Sequence, residues 1–151
     1  MWTDEKEAFA IGDDEIGENF TAFVSHHPKA LCANSTATTE TCYQWVDISI
    51  YGMAAHSDSN CSPAIHASPR CVQGLSAQFK NEHLTLLSYA VEGSDKRNAV
   101  AALKVRYGAS GIDNSGATMW LDGSDMLNIS VNKASEDNSG PTLVTIMITR
   151  P

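Results

Sequence analysis

The chain has 151 residues, enough for one ordinary domain with a sizeable core. Hydrophobic residues make up 42%, which excludes a wholly disordered chain, and the net charge of −8 opposes nucleic-acid binding and docking on anionic membranes. No apolar run reaches the eighteen or so residues needed to span a bilayer, so no membrane span is expected.

Met1–Lys6 has no basic start and no apolar stretch, so it does not read as a signal peptide. Thr3 is placed to cap a short helix over residues 4–11, with Asp4 and Glu5 in its first turn and Gly12 ending it. Asp13, Asp14, Glu15 and Glu18 follow as an acidic cluster. Their sharper reading is a weak calcium site, because a turn can offer the oxygen ligands that ion takes; the blander reading is a solvated acidic turn.

Beyond Gly17 the pattern becomes β-like, beginning with the apolar run Phe20–Val24. Val24-Ser25-His26-His27-Pro28 resembles part of the signature of oxysterol-binding proteins. The match spans five residues, and Ala22-Phe23 before it and Lys29 after it depart from the pattern, so no residue role is carried across. His26 and His27, with His56, His66 and His83, could supply a general base or a metal ligand.

The four cysteines are the most regular feature of the chain. Nine residues separate Cys32 from Cys42, eighteen separate Cys42 from Cys61, and nine separate Cys61 from Cys71. Four cysteines allow three pairings, and the expectation is two short loops, Cys32–Cys42 and Cys61–Cys71. These would tie a loop-rich region, 32–71, that is poor in core residues. A zinc site from His56, Cys61 and His66 is a weaker reading, since the usual paired spacings are missing.

Tyr43–Tyr51 alternates as a strand, and 54–70 reads as the longest loop. Cys71–Phe79 puts Leu75, Ala77 and Phe79 on one face. His83–Val91 is apolar on both faces. Ala99–Tyr107 alternates, with Ala101, Leu103, Val105 and Tyr107 inward; its alanine content makes a helix over 97–107 the rival reading. Met119–Leu121, Leu127–Val131 and Thr142–Thr149 complete about eight strands. Asp113-Asn-Ser-Gly-Ala-Thr118 is echoed by Asp137-Asn-Ser-Gly-Pro-Thr142, each a turn feeding a strand.

These elements predict a mainly β chain: a single antiparallel β-sandwich or jelly-roll-like domain over 1–151 with a short N-terminal helix. Asn19, Asn34, Asn60 and Asn128 begin Asn-x-Ser/Thr triplets and are candidate glycan acceptors. No catalytic motif is present, so no catalytic residue, cofactor or enzymatic activity is expected; a small enzyme using a histidine of the 54–70 loop is the third reading. The leading functional expectation is a non-enzymatic structural subunit of a repeating assembly, such as a virion, phage tail or surface filament. It would be extracellular or part of a virion, with copies of itself or assembly neighbours as partners. The alternative is a secreted or periplasmic, disulfide-stabilised binding or adhesion module.

Overall fold

The computed structural model describes residues 8–45, 47–55, 73–93, 95–114, 116–133 and 142–151. In chain order the elements are β1 (Ala10–Ile11), β2 (Asp14–Glu15), α1 (Phe20–His26), β3 (Leu31–Asn34), β4 (Thr39–Gln44), β5 (Ser49–Ile50) and β6 (Met53–Ala54). They continue with β7 (Gly74–Lys80), β8 (His83–Glu92), α2 (Arg97–Tyr107), β9 (Ile112–Asp113), β10 (Ala117–Asp122), β11 (Asp125–Lys133) and β12 (Thr142–Thr149).

The chain is mainly β. Eight strands form one antiparallel sheet in the order β3-β4-β7-β8-β12-β11-β10-β9. β1-β2 and β5-β6 form two small hairpins beside it. Among the described residues the eight strands lie in one sheet rather than in two packed sheets, and α1 and α2 pack on one of its faces. Period-2 patterning reports that one face of a strand is buried, but not whether a second sheet or a helix buries it.

The strand patterns explain the packing. Leu75, Ala77 and Phe79 of β7 are buried on one face, as are Val144, Ile146 and Ile148 of β12 and Leu127 and Ile129 of β11. The rings of Phe23 and Phe79 meet at 5.1 Å, which puts α1 on this face. Ala99 and Leu103 of α2 join the same core cluster. The opposite face carries half-buried Ser76, Ser88, Ala90, Asn128, Ser130, Thr145 and Met147. The β7–β8 hairpin turns through Asn81 and Glu82, both at positive φ, as a two-residue turn of matching twist requires.

Both helices correct the sequence reading. Residues 4–7 of the expected 4–11 helix lie outside the described residues, and Ala10–Ile11 is a strand. Phe20–Val24 is helical because Asn19 caps it: the Asn19 side chain accepts a hydrogen bond from the Ala22 amide at 2.9 Å. Ala99–Tyr107 lies in α2, the rival reading, and Gly108 at φ 81 ends it. Lys104 and Arg106 in its last turn complement the helix dipole. Of the four residues expected inward, Leu103 is buried, Tyr107 half-buried and Ala101 exposed, while Val105 is 91% exposed. The expected Tyr43–Tyr51 strand ends at Gln44 and resumes only as β5.

Candidate functional site

The β1–β2 hairpin sets up the site. Gly12 at φ 60 turns the chain, and alternation along β2 sends the Asp14 side chain inward and Glu15 outward. Asp14 is 1% exposed, while Asp13 and Glu15 face solvent. The next few residues are stitched to the β7–β8 hairpin: the Gly17 amide donates to the Leu84 carbonyl, and the Leu84 amide donates to the Glu18 carbonyl, each at 2.8 Å. This fixes Glu18 beside Asp14. α1 then carries the chain back over the same place, so its last turn delivers His26 and the following residue His27 onto Asp14.

His26 Nδ1 donates to Asp14 Oδ1 at 2.9 Å, and His27 Nε2 bonds the other carboxylate oxygen. His26 Nδ1 also lies 3.9 Å from Glu18 Oε2. The His27 ring packs against Phe23, 4.7 Å between centroids, which restrains its orientation. Glu18 Oε1 is buried and accepts no hydrogen bond among the described residues. One ligand atom each from Asp14, Glu18 and His26 lies within 4.8 Å of the others.

The electrostatics follow from two carboxylates sharing one buried place. Burial and the neighbouring Asp14 push Glu18 up to about 8. Burial alone would raise Asp14 as well, but hydrogen bonds with His27, Glu18 and His26 outweigh it and hold Asp14 below its ordinary value. The pair therefore divides its roles: Asp14 holds the charge, and Glu18 keeps a proton.

Beside the cluster is an open cleft of about 360 Å3, bordered by His26, His27, Lys29, Asp47, Ser49 and Tyr89, among others. Lys29 and Asp47 form an ion pair there, both more than half exposed. Tyr89, 5% exposed, is pushed well above its ordinary value by burial and by the nearby charge of Asp14.

Of the four residues expected to bind calcium, the structure brings together Asp14 and Glu18 only. It joins to them the two histidines that the sequence placed in a separate group. The usable signal was Asn19: a helix capped there and running through Phe20–His26 folds position 26 back toward position 14.

Cys32 and Cys42 are disulfide-bonded across paired positions of β3 and β4, at the sheet edge. Cys61, Cys71, His56, His66 and Asn60 lie outside the described residues. Asn19 is the α1 cap, Asn34 is exposed at the end of β3, and Asn128 is half-buried on β11 with its Oδ1 fully covered. His83 bonds the Gly17 carbonyl through Nδ1 at 3.0 Å and makes no hydrogen bond with Asp14, His26 or His27. No described helix is long and apolar enough to cross a membrane.

No family model matches the chain, and no curated protein or solved structure matches it.

Proposed function

We propose that the chain is a secreted or periplasmic, disulfide-stabilised, non-enzymatic binding module whose ligand enters the cleft beside α1. The observation that carries this reading is the convergence of His26 and His27, which border the cleft, on Asp14 and Glu18 behind them. Their polar atoms are turned on one another. His26 Nδ1 and His27 Nε2 are both held on Asp14, which fixes the two rings at the cleft as an outer-shell hydrogen bond fixes a ligand-holding group. The Cys32–Cys42 disulfide fits an oxidising compartment.

A subunit of a repeating assembly, with homo-oligomeric contacts in a virion or filament, stands second. Its support is the second face of the sheet, half-buried among the described residues, and the outer edges of β3 and β9, which pair with no other described strand. Those edge strands are only four and two residues long, which is how monomeric sheets limit strand addition.

Light scattering and thermal unfolding, with and without reductant, separate the two. The binding module predicts a monomer, and opening the Cys32–Cys42 loop alone should cost about 2–3 kcal/mol of stability. A large particle whose size ignores reductant would overturn the proposal in favour of the assembly.

A further inference from the structure

We propose that Asp14, Glu18 and His26 form a site for a divalent transition metal of the zinc type, with His27 orienting Asp14. The inference rests on reading the cleft as the binding site, and it names the ligand.

The donor set decides the class of ion. Two carboxylate oxygens and one imidazole nitrogen suit zinc and its neighbours, whereas calcium takes oxygen ligands throughout. The three ligand atoms lie within 4.8 Å of one another. Small side-chain rotations would bring them to the roughly 2.0–2.2 Å that zinc requires. Their anchors are firm. The Asp14 side chain is only 2% exposed, and its second oxygen is held by His27 Nε2. A ligating carboxylate fixed from its far side by a hydrogen bond is the usual outer-shell arrangement of metal sites.

Glu18 provides a separate indication. Its side chain is 11% exposed, and its Oε1 is buried with no hydrogen-bond donor among the described residues. A buried carboxylate oxygen without a donor carries a desolvation cost that a bound cation would remove. On binding, the metal takes the Nδ1 lone pair of His26, whose ring proton then resides on Nε2. Any proton on a ligating carboxyl group is released to solvent, because only the deprotonated form binds the ion. The His26 side chain is 36% exposed and borders the cleft, which gives the ion a way in. Three protein ligands leave a fourth position for water or for a donor group of a second molecule in the cleft.

The test is calorimetric titration of the oxidised, chelator-treated full chain with zinc chloride and, separately, calcium chloride. Wild type, His26→Gln, Glu18→Gln and the control His83→Gln are compared. The expected result is one zinc per chain in the wild type and in His83→Gln, with affinity at least about tenfold weaker in His26→Gln and Glu18→Gln. Glutamine preserves size and polarity at both positions, so folding is retained and is checked by circular dichroism. No saturable zinc binding would overturn the proposal. So would zinc binding that survives both substitutions, or a preference for calcium. If zinc fails while the chain remains a monomer that weakens on reduction, the binding-module reading stands and only its ligand falls.

Discussion

Glu18 and Asp14 occupy one buried place, and they respond to it in opposite directions. Glu18 is pushed up to about 8 from an ordinary 4.5, first by burial and then by Asp14. The folded chain therefore holds this proton more tightly than the unfolded chain does. The stability it contributes is fully present below about 4.5 and is lost as pH rises toward about 8. Asp14 is shifted down, so its own contribution is lost only in acid, below its ordinary 3.8. The two effects occupy different windows. In the metal-free protein the melting temperature should fall from pH 4.5 to 8, and Glu18→Gln should flatten that fall. Equal slopes in both proteins would mean that Glu18 does not hold the proton.

Strands were more legible than helices. β7 and β11 were legible from alternating apolar residues, because each buries mainly one face, and β12 from its β-branched content. The helices were obscured for physical reasons. α1 is only seven residues long, and its Phe, Thr and Val content suits a strand equally well. In α2 the apolar residues Ala99, Ala101, Leu103 and Val105 fall on alternate positions, yet the helix buries only Ala99 and Leu103, four residues apart. A pair of substitutions separates the two readings. Leu103→Ala should cost about 2–4 kcal/mol, because it opens a cavity under α2. Val105→Ala should change stability by less than about 0.5 kcal/mol, because its side chain is 91% exposed. Comparable losses at both positions by urea denaturation would contradict the helix.

At the scale of the whole molecule, the sheet order divides the chain into two similar halves. α1 precedes the meander β3-β4-β7-β8, α2 precedes the meander β9-β10-β11-β12, and β8 and β12 abut at the centre. Each helix ends beside a cleft: His26 and His27 at the end of α1, Arg106 and Tyr107 at the end of α2. Of the two, the first is bordered by the imidazoles of His26 and His27. The second is bordered by Phe9, Tyr107 and Trp120, whose polar atoms are bound to the backbone: Tyr107 Oη to Ala8 and Ala10, and Trp120 Nε1 to Gly108. The sequence showed the ingredients of the first site as two unrelated clusters, an acidic turn and a histidine pair. Their meeting depends on the stitching of residues 17–18 to Leu84, a contact between positions far apart in the chain that no local pattern encodes.

The central claim is that His26 and the two carboxylates act as one ligand-holding centre, and imidazole nitrogen NMR tests it most directly. On adding zinc chloride to the 15N-labelled oxidised chain, His26 Nδ1 should show the largest shift and become the metal-bound nitrogen. The His27 ring, bound to Asp14 through Nε2, should shift less, and His83 should not move. A spectrum in which His26 Nδ1 is unchanged while other histidines respond would contradict the account.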